Sequence, residues 1–400
     1  MNTHTSTAEG LAFLDTHAER LLNEGLDAAL KLRRQIHEDP RVSGNERDTA
    51  ELLIERLGLT TGEWVTEGYL GRLGGEGPSI ALRTELDALP IAEETGVSWS
   101  ATGGVAHLCG HDVHMAALTL AVDAIRKAGF PIPLVLALQP REETLPCGAE
   151  DFIHADWLHR QDIRAFIGAH VQPRIPAGAV SAIPGPVNAS ADEFTITVSG
   201  RASHGAYPHL SRDPIVAASA VVLAIQQLVS RRTDPMEPAV ITVGEIQGGS
   251  SFNAIPGSAS LRGTIRTYTE ESRSAVQELL AECAAGVAQG YGCEAETVVG
   301  LGEPVLHNDE ALANAVADSL QAAGFSHGAD LRSCGADDFS FYGTRFPSLM
   351  VFVGAGDGAE DTPGLHHPSF LPDDSAVLDV ARVFLTSYLT AGKRILNPTP

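Results

Sequence analysis

One short segment, His107-Leu-Cys-Gly-His-Asp-Val-His114, brings together a thiol, three imidazoles and a carboxylate. Sulfur, imidazole nitrogen and carboxylate oxygen are common protein ligands of zinc and related divalent metals. Cys109 and His111 precede a run from Met115 to Ile125 whose spacing predicts a buried helix. Amide dipoles at the start of such a helix favour thiolate over thiol. The segment therefore predicts a metal site, and an unreactive buried cysteine beside surface histidines is the alternative.

Acids or a histidine directly follow three apolar segments that are typical of buried strands. These segments are 79–83 before Glu85 and Asp87, 133–138 before Glu142 and Glu143, and 165–169 before His170. Because an open α/β sheet places its site outside the carboxyl ends of its strands, we expect these side chains to share one site. In a metal hydrolase, one member of an acid pair binds metal while the other moves a proton from water to the leaving amine. The alternative is that the acids are surface residues and the histidine a core residue.

Composition limits the range of partners and compartments. The chain has 400 residues, of which 44% are hydrophobic and 20% charged, and its net charge is −24. That charge argues against nucleic acid and anionic membranes as partners. Five widely spaced cysteines predict no disulfide framework, so we expect a reducing, cytoplasmic location. We find neither a secretory signal in 1–10 nor an apolar run that approaches the length of a membrane span.

The order of elements predicts a discontinuous α/β domain that contains an insertion. Helices alternate with buried strands up to Pro184-Gly-Pro186, where half-buried, alternating strands begin. The following order, β-α-β-β-α-β, is that of a ferredoxin-like α+β domain. Beyond Pro304 the α/β pattern resumes. We therefore assign 1–187 and 300–400 to the first domain and 188–299 to the inserted one.

Nine motifs in a fixed order give the chain a specific resemblance. They occupy 83–90, 107–114, 139–143, 170–173, 203–209, 248–256, 263–267, 336–339 and 365–368. In these motifs the chain resembles the metal-dependent amidohydrolases that include auxin-conjugate hydrolases, hippurate hydrolases and N-acyl-amino-acid acylases. That family is related to dinuclear zinc carboxypeptidases and to succinyl-diaminopimelate desuccinylase. The resemblance implies a mixed-sheet, zinc-peptidase-like catalytic domain and a ferredoxin-like dimerisation domain.

The resemblance also implies roles for individual residues. The positions that match the family's ligands for two divalent metals are Cys109, His111, Glu143, His170 and His366. Zn²⁺ suits these ligands, and Mn²⁺, Co²⁺ and Ni²⁺ are alternatives. Glu142 matches the general acid/base, and Asp87 matches an acid expected to orient a ligand.

Three further matches fall in the inserted domain. His204 matches a histidine that stabilises the oxyanion, often in the site of a partner subunit. Asn253 and Arg266 match positions that hold the substrate's carboxylate or carbonyl, and the guanidinium fork pairs well with a carboxylate. The resemblance therefore implies a homodimer formed through the inserted domain.

Several residues depart from the family's pattern. Glu85 replaces the usual Asp, Thr84 the usual Ala, and Val113 the usual Gly. Leu145-Pro-Cys147 replaces a glycine-rich run after the acid pair, and we expect this loop to influence the choice of substrate.

Together these observations predict an enzyme that hydrolyses small N-acyl amino acids to a carboxylic acid and an amino acid. A dinuclear-metal dipeptidase or aminopeptidase acting on free amines is the main alternative. A cysteine-nucleophile amidase would use Cys109 with a histidine, but it leaves the acid pair and His366 without a role. A metal-dependent binding protein of the same fold is the non-enzymatic alternative.

Overall fold

A computed structural model describes residues 6–357 and 362–397. Its α-helices, numbered along the chain, are α1 Thr7–Glu38, α2 Arg47–Leu57, α3 His111–Lys127, α4 Gly148–His154, α5 Asp156–His159, α6 Pro214–Arg231, α7 Glu270–Gly290, α8 Glu310–Ala322, α9 Ser340–Gly343 and α10 Ser375–Leu396. Its strands are β1 Gly62–Val65, β2 Gly68–Leu73, β3 Ser79–Glu85, β4 Leu134–Gln139, β5 Ile163–Pro176, β6 Ala179–Ser181, β7 Gly185–Asn188, β8 Asp192–Ser199, β9 Ser203–His204, β10 Ala239–Gly248, β11 Ala254–Ile255, β12 Ser258–Thr267, β13 Glu294–Gly300, β14 Leu306–Asn308, β15 Ser326–His327 and β16 Ser348–Gly356.

The chain divides into two compact units. The first contains the described parts of Met1–Gly185, His307–Leu331 and Phe341–Pro400, and the second contains Pro186–Leu306 and Arg332–Ser340. Residues 186–187 and 300–306 lie in the second unit, whereas the sequence predicts them in the first domain. The sequence also predicts residues 332–340 in the first domain. Their place in the second unit follows from Ser333, whose N–H donates to Val187 O (2.9 Å) and whose carbonyl accepts from Ala189 N–H (3.0 Å).

An eight-stranded mixed sheet is the centre of the first unit. Its order is β1-β2-β4-β3-β5-β16-β6-β15. The pairings β3–β4, β3–β5 and β5–β16 are parallel. The pairings β1–β2, β2–β4 and β6–β16 are antiparallel. Every residue of β3 and of β4 is buried, as the apolar residues in 80–82 and 134–138 predict. The predicted mixed α/β architecture is confirmed.

Three long helices cover this sheet and build its largest core. Helices α1, α3 and α10 pack against one another, and α3 and α10 also contact β3 and β5. Helix α3 is buried from His111 to Ile125 except at Asp123, because its own Ala, Leu and Val residues occupy all of its faces. Its first turn therefore starts inside the core, and the metal-ligand candidates are held there.

The expectation that His170 follows the end of a strand is wrong. The strand β5 runs to Pro176 and includes His170, which pairs with Phe352 of β16. Strand β3, on the other side of β5, pairs with it only as far as Ile167. His170 therefore lies inside one strand but beyond the paired part of its neighbour, and this opens the sheet beside its imidazole.

The second unit is built on a four-stranded antiparallel sheet of order β10-β12-β8-β13. In chain order its main elements are β8, α6, β10, β12, α7 and β13, as the sequence predicted. Phe194, Ile196 and Val198 of β8 are buried and alternate with more exposed residues. The predicted N-cap Thr269 accepts a hydrogen bond from Ser272 N–H at the start of α7. Helices α6 and α7 pack on the sheet to form a separate core.

Helix α6 corrects the expectation that no segment is long and apolar enough to span a bilayer. Within the described residues, Pro214–Arg231 meets that criterion by length and composition alone. The helix meets the criterion because it is rich in Ala, Val and Leu, and core helices of soluble proteins meet the same criterion. Residues such as Ala217, Val221 and Ile225 pack in the core of the second unit.

Candidate metal centre

The first turn of α3 begins at a glycine that no other residue could easily replace. Gly110 is the N-cap of α3 and has φ +87°, a left-handed conformation that side chains disfavour. A Cβ atom built on it would lie 2.4 Å from Val171 Cγ2 of β5. The glycine thus allows the turn that carries Cys109 and His111 to approach the strand that carries His170.

The predicted ligand atoms of the first unit converge. Donor atoms of Cys109, His111 and Glu143 all lie within 4.8 Å of one another. Cys109 Sγ is 3.5 Å from His170 Nε2, and Glu143 Oε1 is 3.3 Å from His366 Nε2. Two ligands of one tetrahedral zinc ion are about 3.3–3.8 Å apart, given bond lengths of about 2.0–2.3 Å. The spacing therefore fits a zinc site.

Two imidazoles already present the nitrogen that a metal would bind. His111 Nδ1 lies 2.9 Å from the Asp87 carbonyl oxygen, and His170 Nδ1 lies 2.7 Å from the Val171 carbonyl oxygen. Since a carbonyl can only accept, both Nδ1 atoms carry the proton and both Nε2 atoms are free to act as ligands. Within the described residues, His111 Nε2 is buried without a hydrogen-bond partner. This orphaned acceptor supports a bound cation.

The charges of the site also favour a cation. Burial alone would lower the pKa of His111, but Glu85, Asp87 and Glu143 raise it above its usual value. Burial would raise the pKa of Glu143, yet His366 and His111 hold it below its usual value. Burial lowers the pKa of His170 to about 3, so its ring is neutral. Glu143 and His170 therefore have the protonation states that metal binding needs, and a bound cation would take the place of the proton that the carboxylates favour on His111.

The expectation that helix dipoles favour a Cys109 thiolate is wrong for the protein alone. Burial, followed by the charges of Glu143 and Glu142, raises the pKa of this thiol well above its usual value. Desolvation and two adjacent carboxylates outweigh the amide dipoles of one helix end. A nucleophilic thiolate is therefore disfavoured, whereas a divalent cation would supply the charge that deprotonation requires.

Asp87 joins several parts of the site without being one of the clustered donors. Its Oδ2 accepts hydrogen bonds from the Ser43 hydroxyl (2.7 Å) and from Glu143 N–H (2.9 Å). Its backbone carbonyl accepts from His111, as described above. Glu142 is half-buried beside the cluster, with Oε2 3.9 Å from His111 Nε2. Asp87 thus fixes the backbone of the acid pair and one imidazole at the same time.

Glu85, the departure from the family's Asp, belongs to a second buried network. It pairs with Arg83, and its Oε2 lies 3.0 Å from His114 Nδ1. His114 Nε2 accepts Val171 N–H at 3.0 Å, so its proton is on Nδ1 and is donated to Glu85. Burial alone would raise the pKa of Glu85, but Arg83 and His114 hold it well below its usual value.

This network brings Glu85, His111, His114 and His170 close enough to hold an ion. However, both ring nitrogens of His114 are already in use, so we assign Glu85 and His114 to support of β5 rather than to metal. Sequence reasoning identified Glu85 as a strand-end acid of the shared site and as an unusual residue. It missed its partner His114, although that histidine stands at i+3 from His111 on α3.

His366 reaches the cluster from a loop. Its φ is +65°, a left-handed conformation that is uncommon for a histidine, and its N–H donates to Leu108 O at 2.8 Å. The side chain remains 48% exposed. The backbone bond next to Cys109 therefore holds a solvent-facing loop at the cluster of Cys109, His111 and Glu143.

The remaining predicted residues lie in the second unit. His204 on β9 pairs with Ala254 of β11, and Asn253 O accepts Gly205 N–H at 2.8 Å, so His204 and Asn253 are neighbours. Arg266 lies half-buried on β12. Burial raises the pKa of Glu303 in the same unit, and the positive charge of Arg266 opposes that rise.

The motifs and this geometry agree with a match to a family model. Residues 81–387 match the model of peptidase family M20/M25/M40. The chain belongs to this family. It is 33% identical over 365 residues to an N-acetylcysteine deacetylase of Bacillus subtilis, covering 89% of this chain and 94% of that protein. It is 32% identical over 371 residues to an N-acetyldiaminopimelate deacetylase of Bacillus velezensis, covering 89% and 96%.

Solved structures of the family share the fold over nearly the whole chain. A putative aminohydrolase from methicillin-resistant Staphylococcus aureus superposes with a TM-score of 0.84 at 29% identity, covering 92% of this chain and 97% of the other. A dinuclear metal-binding M20 peptidase from Bacillus subtilis gives 0.80 at 28% identity, covering 92% and 98%. The predicted family is thereby confirmed, and this M20 member is a hydrolase of amide C–N bonds.

Proposed function

We propose that this protein is a metal-dependent amidohydrolase that cleaves the amide bond of N-acyl amino acids. The observation that carries the proposal is the convergence of a thiol, imidazoles and a carboxylate beside a second carboxylate, Glu142. The two relatives described above, at 33% and 32% identity, are deacetylases of N-acetylcysteine and N-acetyldiaminopimelate, which supports N-acyl amino acids as the substrate class.

We assign metal binding to the five residues that the family's motifs indicate. They are Cys109, His111, Glu143, His170 and His366, and they would hold two divalent ions. The mixture of sulfur, nitrogen and oxygen donors favours Zn²⁺, with Mn²⁺, Co²⁺ and Ni²⁺ as alternatives. When bound, the ions would supply Lewis acidity to water and to the acyl carbonyl.

Glu142 is assigned to proton transfer. Its carboxylate accepts a proton from the attacking water and returns it to the nitrogen that leaves when the C–N bond breaks. Asp87 supports this step because it holds the backbone N–H of Glu143, the residue next to Glu142. Its carbonyl also fixes the tautomer of His111.

Residues of the second unit are assigned to the substrate. His204 Nδ1 accepts Ala206 N–H at 3.1 Å, so the neutral ring carries its proton on Nε2 and can donate it to an oxyanion. We assign the substrate's carboxylate or carbonyl to Asn253 and Arg266. A guanidinium binds a carboxylate through two parallel hydrogen bonds.

The alternatives are less well supported. The tripeptidase and aminopeptidase structures that share this fold are 18% and 14% identical, so they inform the fold alone. A cysteine nucleophile conflicts with the raised pKa of Cys109. We therefore retain the dipeptidase or aminopeptidase activity on free amines as the one alternative to test.

A homodimer formed through the second unit is part of the proposal. Strand β10 is an edge of the four-stranded sheet, and edge strands readily pair with another chain. Beside it, Leu223 of α6 is 71% exposed and Ile246 of β10 is 54% exposed. We also propose a reducing cytoplasmic location, since Cys109, Cys283, Cys293 and Cys334 are thiols and not disulfides.

The test is hydrolysis of a matched substrate panel by the chelated protein, with and without added Zn²⁺ or Mn²⁺. The panel contains N-acetyl, N-benzoyl and indole-acetyl amino acids, and the dipeptides of the same amino acids with free amines. We expect cleavage of acylated substrates that chelator abolishes and metal restores. Cleavage of the dipeptides alone would replace the proposal by the free-amine alternative, and activity that survives chelation would overturn it.

A further inference from the structure

The 41–46 segment, which connects α1 to α2, contacts both loops that carry the candidate acids. Arg41 O accepts Ala88 N–H at 2.7 Å. The Ser43 hydroxyl donates to Asp87, and Glu46 Oε1 accepts Arg141 N–H at 2.8 Å. The segment therefore holds the chain after β3 and the chain after β4.

Helix stability does not explain the glutamate at position 46. Glu46 is the N-cap of α2, but its side chain makes no capping hydrogen bond. Asn, Asp, Ser and Thr are the residues that cap well. The Glu46 side chain is instead fully buried and reaches across to the loop of the acid pair.

The amide that Glu46 binds belongs to a residue in an unfavourable conformation. Arg141 has φ +52°, in the left-handed region that a side chain disfavours. It directly precedes Glu142 and Glu143, so its backbone angles set the direction of both acids. A buried acceptor on its N–H would hold this conformation.

The other oxygen of Glu46 shows that the contact has a cost. Within the described residues, Glu46 Oε2 is buried and has no hydrogen-bond partner. Burial, with the charge of Asp87 adding to it, raises the pKa of Glu46 to about 7. A neutral amide of the same length should therefore replace this carboxyl well, whereas a shorter acid should not.

We infer that Glu46 is a positioning residue, which aims Glu142 and Glu143 by holding the Arg141 amide. This inference rests on the proposed function for its kinetic consequence, but not for its structural one. The inference requires that the side chain at position 46 is long enough to accept the Arg141 N–H, and it does not require a negative charge there. The variants Glu46→Gln and Glu46→Asp separate side-chain length from charge, because Glu46→Gln keeps the length and Glu46→Asp keeps the carboxyl group.

The experiment compares these variants with the wild-type, metal-loaded protein and with Glu51→Gln and Glu51→Asp. Glu51 is an exposed residue of the same helix and serves as the matched control. Hydrogen exchange of the peptide that contains 141–143 reports the Arg141 contact directly. The values of kcat and KM on the best N-acyl amino acid report its effect on the reaction.

For Glu46→Asp we expect at least tenfold faster exchange at 141–143 and at least a tenfold lower kcat, with KM within about threefold. Loss of one buried hydrogen bond is commonly worth a factor of this size. Glu46→Gln and both Glu51 variants should stay within about threefold of wild type in all three quantities.

Two outcomes would overturn the inference. One is unchanged exchange and kcat in Glu46→Asp, and the other is a loss in Glu46→Gln as large as that in Glu46→Asp. If Glu46→Asp does not fold, the Glu46→Gln result still decides, because the inference requires it to resemble wild type. If the wild type cleaves no substrate, the proposed function fails while the exchange data still test the Arg141 contact.

Discussion

At the scale of single residues, we propose that the acid pair divides two tasks between neighbouring carboxylates. Glu143 lies 3.3 Å from His366 and within the Cys109 and His111 cluster, so we assign its negative charge to the proposed metal centre. Glu142 is half-buried at the edge of the cluster, and we assign proton exchange with water and substrate to its carboxylate. Replacement of each acid should therefore have a different consequence.

Glu142→Gln should retain both metals and lose nearly all turnover. A glutamine cannot accept the proton of the attacking water, and general acid–base catalysis is commonly worth about 10²–10⁴-fold. Metal content by elemental analysis and kcat on an N-acyl amino acid would test this. Glu150→Gln, an exposed acid of α4, is the control. Full activity in Glu142→Gln would refute the assigned role.

The buried carboxyl of Glu46 makes stability depend on pH. Its pKa is raised from 4.5 to about 7, so the folded state holds this proton more tightly than the unfolded state. Stability from this group is present at pH values below 4.5 and is lost as the pH rises through 7. Glu46→Gln has no such proton. Relative to wild type, its free energy of unfolding should therefore increase by about 2 kcal/mol between pH 5 and pH 8.

Urea unfolding of the metal-free proteins would measure this change. The three tryptophans, Trp64, Trp99 and Trp157, all lie in the first unit, so their fluorescence follows the unit that contains Glu46. The exposed Glu51→Gln variant should show the same pH dependence as wild type. Parallel pH profiles for Glu46→Gln and wild type would contradict the expectation.

At the scale of elements, the site depends on the close approach of the α3 N-terminus to β5. Gly110→Ala should disturb this approach, because a Cβ would meet Val171 at 2.4 Å in a left-handed conformation. We expect a loss of about 2 kcal/mol or more in unfolding free energy, together with weaker metal binding. Urea unfolding and a competitive zinc titration would measure the two effects.

The control for this variant is Gly104→Ala. Gly104 has a similar φ of +81°, but a Cβ added to it would meet no atom within 4 Å. Gly104→Ala should lower the unfolding free energy only by the cost of the left-handed backbone conformation, about 1 kcal/mol, and it should retain metal affinity. Equal effects of the two substitutions would show that contact with β5 is unimportant.

At the scale of the whole molecule, we expect two copies to associate through β10 and α6. Leu223→Glu and Ile246→Lys place charges on the exposed apolar residues of that surface. Each should weaken a dimer measured by sedimentation by at least about tenfold, because desolvating a charge at an interface costs more than about 1.4 kcal/mol.

Val298→Lys provides the matched control for association. Val298 is 59% exposed on β13, the opposite edge of the same sheet. It should leave the association unchanged. A wild-type protein that sediments as a monomer at tens of micromolar, or equal weakening by Val298→Lys, would exclude a dimer through β10 and α6.

The sequence alone determined the family, the α/β class and the order β-α-β-β-α-β of the second unit. It could do so because these depend on local patterns, such as the apolar run of β4, the alternation in β8 and the cap Thr269. The cluster of Cys109, His111 and Glu143 was also predictable, since short motifs near strand and helix ends carry these three residues.

Only the tertiary structure decided the features that depend on distant segments. It extended β5 past His170, because pairing with β16 continues beyond β3. It reversed the expected acidity of Cys109, because burial and neighbouring carboxylates exceed the effect of one helix end. It also revealed Glu46 beneath Arg141, 95 residues away in sequence. Desolvation and long-range hydrogen bonds depend on what surrounds a side chain, and sequence patterns encode those surroundings only weakly.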